Sequence, residues 1–137
     1  MAASIDAKLA EAVAAHRAGN MVEAEKLYRD ALVLNPDHAD ACALLGVVVG
    51  ARGDFDEAVR LVDKAVALDP SSGLLHFHRG NVLMAAQKLP EAIVAFKRSL
   101  ELQPEVTQTY FNYANALRAS GDLTAAAKAS SSCSICE

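Results

Sequence analysis

The sequence predicts an all-α fold made of antiparallel helix pairs in tandem. Pro36, Pro70 and Pro104 are evenly spaced along the chain, and they close the similar phrases ALVLNP, AVALDP and SLELQP. Between them, apolar residues recur every three or four positions, as in an amphipathic helix, and a turn signal lies in the middle. The composition, 53% hydrophobic but only 5% aromatic, suits helices that pack closely through Ala, Leu and Val.

Seven helices are predicted, in chain order over residues 5–18, 21–34, 39–52, 55–68, 73–86, 89–102 and 107–120. An eighth is expected to begin near Leu123. Each second helix of a pair should end before its proline, because proline lacks an amide donor and disfavours helical geometry in the preceding residue. Asp54 precedes a second helix and can pair with its exposed amides, and the expected caps of first helices are Asp37, Ser71 and Thr107.

We call the spacing between Pro36, Pro70 and Pro104 the repeat interval. Small residues recur at this same interval. A larger side chain at a helix contact would overpack it, so we expect these residues to lie where helices touch. Tyr28 and Phe96 are expected to fill the gaps between repeats. The small residues at such positions are Ala24, Ala58, Ala92, Gly46 and Gly80.

The second interval, residues 39–72, resembles the tetratricopeptide repeat. It contains Leu45-Gly46 in its first helix, the turn Gly53-Asp54-Phe55, the pair Glu57-Ala58, and Pro70 at its end. The other intervals depart in places: the first has Glu11-Ala12 instead of Leu-Gly, the third has Gln87-Lys88 at the turn, and none begins with the Trp that the family favours.

This resemblance implies a right-handed superhelical solenoid of about three and a half repeats forming one domain. The repeats are expected at residues 5–38, 39–72 and 73–106, with a partial fourth repeat at 107–129. The segment 130–137 is expected to be an irregular, flexible tail, because SSSCSICE is rich in Ser and has poor helix propensity.

The incomplete fourth repeat leaves two interpretations open. A solenoid needs its last apolar face covered. Either the natural protein continues beyond this sequence, or an incompletely capped C-terminal repeat self-associates through apolar surface near Tyr110, Leu117 and Leu123 to form a homo-oligomer.

Charge and hydropathy exclude several partner classes. The formal net charge is −4, and the chain has no cluster of Lys and Arg, so neither nucleic acid nor an anionic membrane is expected as a partner. The longest apolar run, residues 41–51, is too short for a membrane span, and the N-terminus does not resemble a signal peptide. Three cysteines give no disulfide framework, which favours a cytoplasmic location.

The sequence contains no recognisable catalytic or metal motif. The four histidines lack the spacing of a ligand set, and the CxxC formed by Cys133 and Cys136 has neither a second pair nor a nearby histidine. A phosphate loop, a nucleophile elbow and paired buried carboxylates are also missing. We therefore expect no enzymatic activity, no cofactor and no metal.

The resemblance also implies a concave groove lined by the first helix of each repeat. Asparagine can pair with the amide and the carbonyl of an extended peptide at once, and phenylalanine can pack against it. The expected peptide contacts are Phe77, His78, Asn81, Gln108, Phe111, Asn112, Asn115 and Arg118. The wider groove set adds Asp6, Leu9, Val13, His16, Arg17, Asp40, Ala43, Leu44, Val47, Ala51, Leu74 and Ala85.

Two family patterns bear on the ligand. The two-carboxylate clamp of chaperone-binding tetratricopeptide domains is absent, because its positions, counted from the first repeat, hold Leu9, Val13, Leu44, Leu74 and His78. The phrase NYANAL, residues 112–117, is similar to the repeat arrays of O-linked N-acetylglucosamine transferases and related bacterial proteins.

The leading hypothesis is a protein-interaction scaffold that binds a peptide or an extended protein segment in the groove. One alternative is the substrate-recruiting N-terminal region of a larger enzyme such as a glycosyltransferase. The other is a self-assembling structural module.

Overall fold

The computed structural model describes residues 4–121. Within them lie seven helices: α1 (Ile5–Arg17), α2 (Met21–Leu34), α3 (Ala39–Ala51), α4 (Phe55–Leu68), α5 (Gly73–Ala85), α6 (Leu89–Leu102) and α7 (Thr107–Ala119). Each agrees with its predicted range to within one residue at either end. The predicted eighth helix and tail lie outside the described residues. None of the seven helices has the length and apolar character needed to cross a membrane.

The helices pack as a solenoid of antiparallel pairs. The pairs are α1 with α2, α3 with α4, and α5 with α6, and each second helix also packs against the first helix that follows it. The first helices α3, α5 and α7 touch one another directly, whereas no comparable contact joins α2, α4 and α6 within residues 4–121. The first helices therefore form the inner, concave layer.

The turns inside the pairs depend on a left-handed residue. Gly19 and Gly53 in these turns have φ of +82° and +97°, and Gly121, after the end of α7, has φ of +90°; glycine adopts such angles at little steric cost. In the third pair this place is occupied by Gln87, with φ of +62°. A residue with a Cβ is strained there, so this turn is the least favourable of the three.

The residue after the turn caps the second helix in the first two pairs. Asn20 and Asp54 each accept a hydrogen bond from the backbone N–H three residues later, at 3.4 Å and 3.3 Å respectively. The Asp54 role agrees with the prediction. Lys88 takes this place in the third pair and makes no side-chain cap. The α5–α6 turn therefore departs from the others at two successive residues.

The expected caps of three first helices were wrong. Asp37 and Ser71 lie one residue too early, and Thr107 is already the first residue of its helix. Ser71 instead donates its hydroxyl to Asp69 Oδ1 at 2.9 Å. The residues at the N-caps of α3, α5 and α7 are His38, Ser72 and Val106, of which the first two accept a backbone N–H through their side chains.

Large side chains in one register position fill the space between repeats. Tyr28, Val62 and Phe96 are separated by the repeat interval, and all three are fully buried. A glycine makes room for Val62 and for Phe96, as predicted: a Cβ on Gly46 would lie 2.8 Å from Val62 Cγ1, and one on Gly80 would lie 2.6 Å from the Phe96 ring.

The predicted self-association surface is partly buried inside the chain. Leu117 is only 5% exposed and packs against Ile93 and Tyr113, so it is not free for contact with a second copy. Tyr110 is partly buried. Leu123 lies outside the described residues.

Candidate functional site

Three polar side chains from α5 and α7 meet on the inner face. Asn112 Nδ2 donates to Asn81 Oδ1 at 2.8 Å, and Gln108 Nε2 donates to Asn112 Oδ1 at 3.0 Å. Gln108 and Asn112 are four residues apart on one helix, so they share a face, and the first bond links two consecutive repeats. We call Asn81, Gln108 and Asn112 the amide network.

The amide network keeps unused hydrogen-bonding capacity. An amide side chain has two N–H donors and an oxygen with two lone pairs. The two bonds inside the network leave both donors of Asn81, one donor of Asn112 and the oxygen of Gln108 without a partner among residues 4–121. Donors and acceptors are thus available together, as the backbone of an extended peptide requires.

Asn115 and Arg118 form a separate pair on α7. The Arg118 guanidinium donates to Asn115 Oδ1 across one helical turn, and Arg118 is exposed. The expected contacts at this end of the groove therefore come from one helix. They make no side-chain hydrogen bond to the amide network within the described chain.

The two phenylalanines differ in exposure. The Phe77 ring is partly buried, with its centroid 6.2 Å from that of Phe96 and 5.7 Å from that of His78. Phe111, at the same register position one repeat later, is 57% exposed. Phe77 thus forms part of the groove wall, whereas Phe111 offers free apolar surface.

His78 lies in a depression between α3 and α5. The depression is lined by Asp40, Leu44, Leu74 and His78, and Leu74 is half exposed. Burial lowers the pKa of His78, because the low-polarity surroundings disfavour the imidazolium, and this outweighs the opposing effect of the Asp40 carboxylate. A smaller repulsion from His16 acts in the same direction as burial.

The other histidine of α5 serves the fold. His76 is buried, and its Nε2 lies 2.9 Å from the carbonyl oxygen of Pro70. Its register equivalent one repeat earlier, Cys42, directs its thiol at the carbonyl of Pro36 in the same way. The two histidines of α5 therefore face different sides, as their spacing predicted.

A second depression of about 190 Å³ adjoins the amide network through Asn81. Small residues create it: Ala51 and Ala85 are register equivalents in consecutive repeats, at the C-terminal ends of α3 and α5. The expected groove set missed Gly50 and Val82, although the repeated alanine was a signal for open space. The lining residues are Val47, Gly50, Ala51, Asn81, Val82 and Ala85.

Within residues 4–121, none of the expected peptide contacts takes part in an ion pair. Arg29 pairs with Glu25 and Glu57, Arg52 also pairs with Glu25, and Arg79 pairs with Asp63. No three His, Cys, Asp or Glu side chains within residues 4–121 come close enough together to hold a metal ion. Cys133 and Cys136 lie outside that part.

Comparison with known proteins identifies the repeat. Two family models, both described as tetratricopeptide repeat, match residues 15–77 and 77–130. The chain belongs to the tetratricopeptide-repeat family. Among curated proteins, none has a sequence that matches.

Several solved structures share the fold. A mutant of the Thermobaculum terrenum O-GlcNAc transferase superposes with a TM-score of 0.79 and 34% identity, over 82% of this chain but only 22% of the transferase chain. The first TPR domain of Spaghetti (RPAP3), bound to the HSP90 peptide SRMEEVD, has a TM-score of 0.79, 22% identity, and coverage of 86% and 96%. MamA from Desulfovibrio magneticus RS-1 has a TM-score of 0.79, 19% identity, and coverage of 92% and 71%.

These findings give the general class of function. A tetratricopeptide-repeat solenoid is a protein-interaction module, and this chain is one. The repeat fold is generally not catalytic.

Proposed function

We propose that this chain binds an extended peptide segment of a partner protein in the groove formed by α1, α3, α5 and α7. The observation that carries the proposal is the amide network, in which Asn112 donates to Asn81 across two repeats. Its members hold one another in place, so little side-chain entropy is lost when a ligand arrives. A peptide backbone supplies the carbonyl and N–H groups that the free amide donors and the Gln108 oxygen need.

Apolar surface beside the network supports the same proposal. Phe111 is 57% exposed and Leu74 is 50% exposed, and both belong to inner helices. Large exposed apolar side chains are ordinary when scattered, but here they flank a row of paired amides. They can bury ligand side chains while the amides bind the ligand backbone.

The test is peptide selection followed by loss of binding. A random peptide library displayed on phage is selected against the wild-type chain, and the dissociation constants of the selected peptides are measured by fluorescence anisotropy. Replacing Asn81 and Asn112 together by alanine should weaken binding at least tenfold, since two or more hydrogen bonds of about 1 kcal/mol each are lost.

A matched control is Arg60→Ala on α4. Arg60 is exposed, belongs to the outer layer, and has no hydrogen bond or ion pair within the described residues. This variant should bind the selected peptides as the wild type does. Equal weakening by both variants, or no weakening by either, would show that binding does not use the groove.

A second candidate function is favoured by the 34% identity to the O-GlcNAc transferase over 82% of this chain. In this proposal the groove presents protein substrates to a glycosyltransferase. The phrase NYANAL, residues 112–117, includes Asn112 of the amide network.

Genomic sequence and a binding experiment test the second candidate. It requires that the gene encode a glycosyltransferase domain on the same chain, or that the purified chain bind such an enzyme. A gene with no such domain, together with no transferase recovered on the immobilised chain, would leave the free-standing scaffold as the function.

A further inference from the structure

The depression between α3 and α5 has a composition that differs from the rest of the inner face. Asp40 and Leu44 lie one turn apart on α3, and Leu74 and His78 lie one turn apart on α5. Each α5 residue is the register equivalent of an α3 residue, one repeat later. Two neighbouring repeats therefore bring a carboxylate, an imidazole and two leucine side chains around one depression.

We propose that this depression receives a lysine or arginine side chain of the bound peptide. The inference rests on the proposed function, since it names the chemistry of one ligand residue in the same groove. The leucines contact the methylene stem, and the Asp40 carboxylate pairs with the cationic head.

Charge supports a cationic occupant. Asp40 is exposed and, within residues 4–121, forms neither a salt bridge nor a side-chain hydrogen bond. By contrast, Glu25, Glu57 and Asp63 are each paired with an arginine. An acidic ligand side chain would be repelled by Asp40, and the chain as a whole is acidic, with a net charge of −4.

His78 does not neutralise this carboxylate. Burial lowers the pKa of His78, so the ring is uncharged at neutral pH despite the nearby Asp40. A neutral imidazole has one nitrogen that accepts a hydrogen bond, and it can accept one from an ammonium or guanidinium group. The depression thus offers one negative charge and one neutral acceptor to a cation.

The apolar walls discriminate between possible ligand residues. Leu74 is 50% exposed, and Leu44 is partly buried. A purely aliphatic side chain would cover the leucines but would also desolvate Asp40 without a partner. Lysine and arginine bury an apolar stem and keep a charged end in polar surroundings, so they satisfy both parts of the depression.

The test uses the peptides selected on the wild-type chain. They should be enriched in lysine or arginine at one position, and exchange of that residue for norleucine, which lacks the charge, should weaken binding about fivefold, the size of a partly exposed ion pair. Asp40→Asn should weaken binding of the lysine peptide by a similar factor. Asp40→Asn should leave the affinity for the norleucine peptide unchanged, because the interaction needs both the carboxylate and the cationic side chain.

Asp56→Asn is the matched control. Asp56 lies in the first turn of α4 as Asp40 lies in the first turn of α3, is also exposed, and forms no salt bridge within residues 4–121, but it belongs to the outer layer and does not line the depression. The same loss of charge there should alter the affinity for the lysine peptide by less than twofold. If the two variants weaken binding of the lysine peptide equally, the effect comes from the net charge of the chain and the inference is wrong.

The outcomes separate this inference from the proposed function. If the double alanine variant at Asn81 and Asn112 abolishes binding while Asp40→Asn does not change it, the groove binds peptides but the cation pocket is wrong. If selection gives no peptide, or only peptides that are insensitive to both variants, both proposals are overturned. Selected peptides with glutamate or leucine at every enriched position would also overturn the inference.

Discussion

The Phe96 ring lies directly against the backbone of Gly80, so that a Cβ on Gly80 would come within 2.6 Å of two ring atoms. Phe96 is fully buried, so a shift of its ring would disturb the core side chains packed around it. We expect Gly80→Ala to destabilise the chain by about 1–3 kcal/mol through overpacking, even though alanine favours helix more than glycine does. Urea denaturation monitored by circular dichroism measures the change.

Gly50→Ala is the control for this prediction. Gly50 is also a buried helical glycine, but a Cβ there would meet only Ala58 Cβ, at 3.5 Å, an ordinary contact. Helix propensity then dominates, and the variant should be more stable than the wild type by about 0.5–1 kcal/mol. If both variants shift the free energy of unfolding in the same direction, packing against Phe96 does not explain the choice of glycine.

The α5–α6 turn can be improved. Gln87 has φ of +62°, whereas glycine occupies the same position in the other turns. Lys88 provides no side-chain cap for α6, whereas Asn20 and Asp54 cap α2 and α4. Gln87→Gly relieves the left-handed strain of about 1 kcal/mol, and Lys88→Asp adds a cap of about 1 kcal/mol. We expect the double variant to raise the melting temperature, measured by scanning calorimetry.

The same exchanges elsewhere provide the contrast. Gly53→Gln and Asp54→Lys introduce in the second repeat what the third repeat already has, and both should lower the melting temperature. If the exchanges leave the melting temperature unchanged in both repeats, the left-handed turn tolerates glutamine equally well at both places.

Stability should fall as His78 becomes protonated. Burial lowers the pKa of His78 in the folded state below the value of about 6.5 for the unfolded chain. At pH 7.5 the ring is neutral in both states, but below pH 6.5 the unfolded chain binds the proton first and is favoured. The loss from this group is at most about 1.4 kcal/mol for each pH unit.

His78→Gln isolates this effect. The free energy of unfolding is measured in urea between pH 7.5 and pH 5.5 for both chains, and all other titrating groups, including Asp40 and His16, are shared. The wild type should lose more stability than the variant over this interval. A wild type that loses less would mean that Asp40 stabilises the charged ring and that the folded pKa is raised.

Ser99 is expected to stabilise the contact between α5 and α6. It is 2% exposed, and its Oγ donates to the backbone oxygen of Gly73 at 2.8 Å. Ser99→Ala leaves that buried carbonyl without the serine hydroxyl and should cost about 1–2 kcal/mol in urea unfolding. Ser71→Ala, which removes an exposed hydroxyl bonded only to Asp69, should change stability by less than about 0.5 kcal/mol.

The sequence determined the helices well because its signals are local and repeated. Proline at 36, 70 and 104 and glycine at 19 and 53 mark helix ends through their own backbone restrictions. Caps were harder to place: His38 is an uncommon capping residue, and a serine pair such as Ser71-Ser72 does not reveal which hydroxyl will face the free amides.

The site was predictable as a set of residues but not as a network. In register, the equivalent of Asn81 is Asn115, yet its hydrogen-bond partner is Asn112, one helical turn earlier. The repeat interval gives equivalent positions, whereas contacts between neighbouring inner helices depend on how the helices are displaced along one another. Asp40 and Leu74 show the same limit, since only the structure places them around one depression.

Among residues 4–121, the helices pack within one pair or between consecutive pairs. An in-frame duplication or loss of one segment such as residues 39–72 would therefore leave the surviving interfaces nearly as they are. Each duplication would add one inner helix, and with it a further stretch of ligand backbone that can be held. Duplication of a segment can thus change the range of peptides that the encoded protein binds, before any individual residue is substituted.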